Sequence, residues 1–347
     1  MTVADIDPRV ARTGLAGLSR VVPDQATAAS IDLERFVAQL EVAVLIPCHN
    51  EGRSIGRVVA GFGDALPGAR IFVYDNLSSD DTAARARAAG AIVRLEPWPG
   101  KGNVVRRMFA DIDADLYVMA DGDGTYDPSV APTMIRRLVT DHLDMVVGKR
   151  RDVYANAHRR GHGLGNRLFN GFYRELFGPL FTDIFSGYRV FSRRFVKTFP
   201  VVSSGFEIET EMSVHASQLR MPVAEVETDY GVREDGSVSK LHTFGDALRI
   251  LRMFVRLYRA IKPVHFYGLL AAALTVSALI LGYPLLEQYL ETHTVPRLPT
   301  AVLATGLVLL AGISGVAGLI LDSVAAGRLE QKRLAYLRMP QLKRPAS

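Results

Sequence analysis

At 347 residues the chain can hold one large domain or two modest ones, with ample length to bury a core. Its formal net charge of +5, from 41 Lys and Arg against 36 Asp and Glu, suits anionic partners such as nucleotides, lipid phosphates or a membrane surface without singling one out. The one cysteine, Cys48, excludes an intrachain disulfide and a cysteine-based zinc site, which is compatible with a reducing compartment.

The first forty residues carry no long apolar run and open with Asp5 and Asp7 rather than a basic segment, so no cleaved signal peptide is expected. Residues 1–40 are read as a mobile arm with a short amphipathic helix at Ile31–Leu40. From Glu41 to about Asp144, short apolar runs alternate with helix-like stretches. Val42–Ile46, Arg70–Tyr74, Ala91–Leu95, Leu116–Met119 and Met145–Val147 are predicted as buried strands. Arg53–Phe62, Asp80–Ala89, Lys101–Ala110 and Pro128–Thr140 are the intervening helices. This rhythm predicts an α/β fold with a mainly parallel sheet, whose ligands bind at the carboxyl ends of the strands.

The polar residues cluster at those ends. Pro47, His49, Asn50 and Glu51 follow the first strand; Asp75, Asn76, Ser78, Asp80 and Thr82 follow the second. Gly100, Lys101, Gly102 and Asn103 follow the third, and Asp121, Gly122 and Asp123 the fourth. Any one of these could be an ordinary loop or helix cap; together they describe one crevice. Asp121 and Asp123, two positions apart past a buried strand, can grip a hard divalent cation that bridges phosphate oxygens. Lys101 between two glycines places a point charge beside backbone amides at a helix start, a favourable place for an anion, although a surface lysine in a turn explains it equally well. It is not a P-loop, because the spacing is too short and no Ser or Thr follows the lysine. Glu207 and Glu209 open a later helix, where acids complement the helix dipole. The basic, Ser-rich stretch through Arg233 and Lys240 is placed to close over a diphosphate, or to be a solvated linker.

Arg252, Arg256 and Arg259 recur at helical spacing among Leu251, Phe254, Val255, Leu257, Tyr258 and Ile261, which predicts an amphipathic interfacial helix over 244–262. Pro263–Leu286 and Leu298–Leu321 each run roughly 24 residues without a charge, enough to cross a bilayer core. Basic residues flank both on the same side, from Arg249 to Lys262 and from Arg328 to Arg344, against Glu287, Glu291 and Arg297 between them. That asymmetry predicts a multi-pass inner-membrane protein with both termini and the α/β domain in the cytoplasm. The expected divisions are 1–40, 41–243, 244–262, a two-helix anchor over 263–322 and a basic tail over 323–347.

As an ordered set, Val-Leu-Ile-Pro-Cys-His-Asn-Glu, Tyr-Asp-Asn-x-Ser-x-Asp-x-Thr, Gly-Lys-Gly, Asp-Gly-Asp, Asp-x-x-Ser-Gly-Tyr-Arg and Ser-x-Ser-Lys-Leu resemble family 2 glycosyltransferases. The likeness is to those acting on polyprenyl phosphates, of the dolichyl-phosphate mannose synthase and bacterial undecaprenyl-phosphate glucosyltransferase type, and it runs from about Val42 to Lys262. It implies a GT-A type, Rossmann-like nucleotide-sugar-binding domain over 41–243 and a metal-dependent hexosyltransferase. By that resemblance Pro47, Asn50 and Glu51 line the nucleotide pocket, Asp75 contacts base or ribose, and Lys101 lies near the nucleotide. Asp121 and Asp123 engage Mg2+ or Mn2+ on the diphosphate, Asp183 stands near the acceptor, and Arg233 and Lys240 hold phosphates from a mobile loop. Thr125 stands where the family often has Gln, and Asn76 where it often has Asp.

The resemblance further implies inverting transfer of a hexose, UDP-glucose favoured over a GDP-mannose donor, to a polyprenyl phosphate on the cytoplasmic leaflet. Such an acceptor is already largely anionic near neutrality, so Asp183 is expected to orient it rather than to remove a proton. Homo-oligomerisation through the anchors, a tetramer by the resemblance, is expected, and no nucleic-acid partner. A processive polysaccharide synthase is disfavoured by the lone Trp98, which lies outside any Gln-x-x-Arg-Trp motif. A transferase using another membrane lipid and a non-catalytic scaffold are the remaining readings.

Overall fold

A computed structural model describes residues 34–151, 180–205, 207–231, 255, 258–259 and 261–342. The expected interfacial helix over 244–262 therefore lies almost wholly outside the described residues, as do Arg233 and Lys240. Within the expected N-terminal helix, residues 34–39 are helical.

Among the described residues seven strands form one sheet: β1 (Val42–Cys48), β2 (Arg70–Asp75), β3 (Ile92–Leu95), β4 (Leu116–Met119), β5 (Met145–Arg150), β6 (Arg189–Ser192) and β7 (Val223–Thr228), in the order β3-β2-β1-β4-β6-β5-β7. β1, β2, β3 and β4 are parallel, β6 runs antiparallel between β4 and β5, and β7 is parallel to β5. The apolar runs of β1 and β4 are nearly continuous because helices cover both faces of the sheet there, whereas β3, expected as a buried strand, is an edge strand with Ile92, Arg94 and Leu95 exposed. Ala43 and Leu45 of β1 face one layer, Val44 and Ile46 the other, as alternation along a strand requires.

On the second face lie α1 (Ile55–Ala65), α2 (Thr82–Ala88) and α4 (Ala131–Thr140), the last preceded by a 3-10 turn at Pro128–Val130. On the first lie α3 (Lys101–Asp111), α5 (Arg193–Thr198) and α6 (Ile208–Leu219), whose Val105, Met108, Phe195 and Met212 pack around Phe109 and Phe191. Helices thus start about where the polar residues end each strand.

Two long helices follow, α7 (Pro263–Thr292) and α8 (Leu298–Arg338), both long and apolar enough to cross a membrane. The second does not stop at the end of its apolar span. Residues 323–338, expected as part of a separate basic tail, continue the same helix, because they are rich in Ala, Leu and Arg and meet no proline before Pro340. This extension docks on the first face of the sheet. Tyr336 Oη donates to Asp144 Oδ2 at 2.7 Å, and the Arg194 guanidinium lies 4.3 Å from the Tyr336 ring centre. Arg194 also donates to both Asp144 oxygens, at 3.0 and 2.7 Å, and Ser192 Oγ adds a bond of 2.8 Å. At the start of α7, Ile261 packs against the same core.

The dock leaves one group under tension. His215 of α6 is buried against Phe195 and Phe199, its two ring nitrogens have no hydrogen-bond partner, and Lys332 of α8 stands nearby. Burial first, and the Lys332 charge second, push its pKa down to about 3. The unfolded chain binds this proton below an ordinary histidine pKa of about 6.5 while the folded chain refuses it, so stability falls as pH drops below that value. His215→Leu should remove up to about 1.4 kcal/mol per pH unit of that loss. Unfolding midpoints of the detergent-solubilised protein between neutral pH and pH values near 5 check this; an unchanged slope in the variant would place the acid sensitivity elsewhere.

Candidate active site

The carboxyl ends of β1, β2 and β4 converge, and their loops are tied to one another before any ligand is considered. Asn50, at φ 56°, donates its amide to Ser78 Oγ at 2.9 Å, and its side-chain oxygen accepts from the Ser79 amide at 2.8 Å. The Glu51 amide donates to Thr82 Oγ1 at 2.8 Å, and the Gly52 amide to Asp80 Oδ2 at 3.0 Å. Pro47 is buried inside β1 opposite Tyr74. The residues expected to line a nucleotide pocket thus form the wall between the first two strand ends.

Acidic groups crowd this wall. Glu51 Oε2 and Asp75 Oδ1 are both buried without a hydrogen-bond partner, an expensive condition for carboxylate oxygens. Burial, then the charges of Asp121 and Asp123, push the Glu51 carboxyl up to about 8. Cys48, beneath it, is held protonated by burial and by Glu51, and is an inert core thiol. Asp123 Oδ1 accepts from the Thr125 amide at 3.1 Å and from Thr125 Oγ1 at 2.6 Å. Thr125, in the place of the family's glutamine, is buried and orients Asp123.

Among the described residues no three or more His, Cys, Asp or Glu side chains close into a metal cage. A magnesium-like ion does not need one, since it takes one or two carboxylates together with substrate phosphates. The donor set fits such an ion: Asp121 and Asp123 offer hard oxygens, and their charges add to burial in raising the proton affinity of Glu51.

Lys101 is arranged differently from a lysine awaiting an anion. Its ammonium is buried and paired with both Asp121 and Glu209. These pairs outweigh burial, and its pKa is raised. Glu209, whose acid could have served only the helix dipole, is thus the second half of this clamp. The glycines beside Lys101 have a steric purpose as well. A Cβ on Gly100 would collide with the Ser204 carbonyl, and one on Gly102 with that of Ser203. The Gly100 and Gly102 amides are also engaged, by Asn76 Oδ1 at 2.7 Å and the Ser204 carbonyl at 3.1 Å, so they are not free for an anion.

Asp183 lies across the crevice, held by Arg150 at the end of β5. Arg150 Nε and Nη2 donate to its two oxygens at 2.8 Å each, while the guanidinium stacks on Tyr230. Burial alone would raise the Asp183 pKa, but the hydrogen bonds and charge of Arg150 hold it below the usual carboxylate value. The surrounding loop is fixed by the fully buried Arg189, which donates to the Ser186 and Ile184 carbonyls at 2.9 Å, and by the Gly187 amide on Tyr126 Oη at 2.8 Å. A Cβ on Gly187 would lie 2.7 Å from Asp121 Oδ2, so this glycine lets the two loops meet. The structure therefore gathers Glu51, Asp75, Lys101, Asp121 and Asp123, with Asp183 reaching them through Gly187. Sequence reasoning missed Arg150; the signal was the same one used elsewhere, a charged residue closing a buried strand.

Asn76 does what an aspartate there cannot. Its Nδ2 donates to the Glu96 and Trp98 carbonyls, at 2.9 and 2.8 Å, while its oxygen receives the Gly100 amide. Asn76→Asp should set a carboxylate against two carbonyls and cost about 1–3 kcal/mol. Thermal unfolding measures this; equal stability would show that the 96–100 loop is held by something else.

Comparison with known proteins now bears on this architecture. Residues 43–199 match the model of glycosyl transferase family 2. Protein RfbJ of Shigella flexneri is 53% identical over 122 residues, covering 35% of this chain and 95% of that protein. Glycosyltransferase AglJ of Haloferax volcanii is 36% identical over 243 residues, 69% of this chain and 78% of that protein. The crystal structure of glucosyl-3-phosphoglycerate synthase from Mycobacterium tuberculosis in complex with Mn2+, uridine diphosphate and phosphoglyceric acid superposes with a TM-score of 0.54 at 22% identity, covering 65% of this chain and 80% of that one. The sheet is accordingly that of a GT-A fold, and the chain belongs to glycosyl transferase family 2.

Proposed function

We propose that the chain transfers a hexose, with inversion, from a nucleotide-diphosphate sugar to a polyprenyl phosphate at the cytoplasmic leaflet, with UDP-glucose the favoured donor. The observation that carries this reading is the course of α8 along the α/β domain toward the acid-rich sheet edge. Tyr336 is fixed at Asp144, at the amino end of β5, and the Pro263 carbonyl packs against Gly318. Between them Lys332 of α8 stands by Glu211, two residues past the Glu209 that pairs with Lys101, so α8 runs from the amino edge of the sheet toward its acid-rich edge as it nears the apolar span, where a lipid phosphate is found. The Mn2+ and uridine diphosphate held by the mycobacterial synthase support a metal-assisted UDP-sugar donor.

In this reading Asp121 and Asp123 hold Mg2+ or Mn2+, which when bound supplies positive charge to the donor diphosphate. Asp75 Oδ1 accepts a hydrogen bond from the base or ribose, which relieves its lack of a partner. Asn50 and Pro47 shape the wall on which the nucleotide lies, and Glu51, protonated at neutral pH without the ion, would ionise to balance the charge of a bound metal. Lys101 keeps Asp121 oriented through its pairing with Glu209. Arg233 and Lys240, outside the described residues, are assigned to the leaving diphosphate.

Asp183 is a poor base while Arg150 holds it, and the reaction does not need a strong one. A phosphate monoester has a second pKa of about 6 and attacks as an anion near neutrality. Asp183 instead keeps Arg150 in place beside the crevice. Self-association through α7 and α8 into a homo-oligomer is part of the proposal.

A donor screen tests the reading. Purified protein, undecaprenyl phosphate, Mn2+ and a panel of UDP- and GDP-sugars should yield one glycosylated lipid phosphate by mass spectrometry, lost on metal removal and in Asp123→Ala. Donor hydrolysis without a lipid product would reject the acceptor, and a GDP-sugar product would reject the favoured donor. In Asp183→Asn the acid limb of the rate profile should stay with the acceptor phosphate near about pH 6; a limb that moves would make Asp183 the base.

A further inference from the structure

We propose that Trp98 and Val202, on two adjoining loops, dip into the headgroup layer of an anionic bilayer beside the membrane helices. The inference rests on the proposal that α7 and α8 cross a membrane. Both side chains are 72% exposed, and Leu95 nearby is 60% exposed, an unusual waste of an indole in a chain that has only one.

Their loops are not loose. The Trp98 amide donates to Glu96 Oε1 at 2.9 Å and its carbonyl accepts from Asn76 at 2.8 Å. The Val202 and Ser203 amides donate to Glu211 at 3.0 and 2.8 Å. The Gly102 amide donates to the Ser204 carbonyl at 3.1 Å, which ties one loop to the other. Two rigid loops therefore hold two apolar side chains outward, at the entry to α3 and α6, on the face of the sheet where α8 docks.

The surroundings point to lipid rather than to a protein groove. Trp98 borders a surface hollow lined by Glu96, Asn103, Arg106, Arg107 and Ala110. Two guanidiniums beside an indole match the interface of a bilayer, where tryptophan sits at headgroup level and arginine reaches phosphate. Glu211, which holds Val202, belongs to the helix turn that faces Lys332 of α8. From Lys332 the helix needs only about 15 Å of rise, at 1.5 Å per residue, to reach its apolar span. Tyr336 docks at the amino end of β5 and Lys332 stands by Glu211, two residues past the Glu209 that pairs with Lys101, so α8 runs toward the strand ends as it nears its span, and the Val202 loop lies on the span side of that contact. The contact would add a second apolar anchor near the strand ends and hold the crevice against the leaflet that carries its acceptor.

The single tryptophan is its own reporter. The full chain would be reconstituted in phosphatidylcholine–phosphatidylglycerol vesicles carrying a nitroxide either on the headgroup or deep in the acyl chain. The expected result is indole emission shifted to the blue, strongly quenched by the headgroup nitroxide, several-fold less by the deep one, and shielded from aqueous acrylamide. Val202→Asp should weaken the headgroup quenching several-fold. Emission fully open to acrylamide overturns the contact, and blue-shifted emission untouched by either nitroxide overturns it in favour of burial against a second copy of the chain. Alkaline carbonate extraction separates the two claims: release of the chain rejects the membrane helices themselves, whereas retention with a water-exposed indole rejects this contact alone.

Discussion

The buried ammonium of Lys101 is the interaction on which the site depends. It joins Asp121, at the end of β4, to Glu209, in the first turn of α6, and its own backbone starts α3. Three elements from distant parts of the chain are registered by one charge. Removing one partner of such a buried pair typically costs about 3–5 kcal/mol, because the remaining charges have neither water nor counter-ion. The loop contacts around it follow: Ser203 and Ser204 press on Gly102 and Gly100, and Asn76 gathers the far side of the same turn. Preorganisation of Asp121 is thus a by-product of tertiary packing rather than of its local sequence.

Much of the sheet was legible in the sequence because β1 and β4 are covered on both faces, and burial on both faces leaves uninterrupted apolar runs. The order of the strands was not. β6 enters between β4 and β5 in the opposite direction, and Arg189–Ser192 shows only a short run with an arginine at its start. That arginine is buried because the backbone carbonyls of its own loop satisfy it, a circumstance no hydropathy pattern records. The basic tail expected from residue 323 shows a related effect: it is helical as far as Arg338, and Tyr336 and the stem of Lys332 give that polar helix a docking face.

Within the site, the carboxylates were legible because open α/β sheets bring strand ends together, so position along the chain predicts position in space. What the side chains do there was less so. Lys101 looked like a group awaiting phosphate and is committed to two acids; Asn76 looked like a departure from a pattern and is a clamp with three bonds. Arg150 stood out only as a charge closing a strand, and its pairing was hidden because its partner Asp183 lies thirty-three positions on, joined only by folding. Pairing between distant residues is set by tertiary distance, and a single sequence carries no direct signal of it.

The unbroken course of α8 has a mechanical corollary. Because one helix runs from the apolar span to the Tyr336–Asp144–Arg194 contact, it works as a calibrated strut rather than a tether. Each residue added to or removed from the stretch between would shift the attachment by about 1.5 Å and swing it by about 100° around the strut axis. Length and phase are therefore locked together: the crevice can be raised or lowered only by also being turned, and an unchanged heading returns only after about eighteen residues, or five full turns. Evolutionary drift in this segment is constrained as a screw thread is, by pitch as much as by reach.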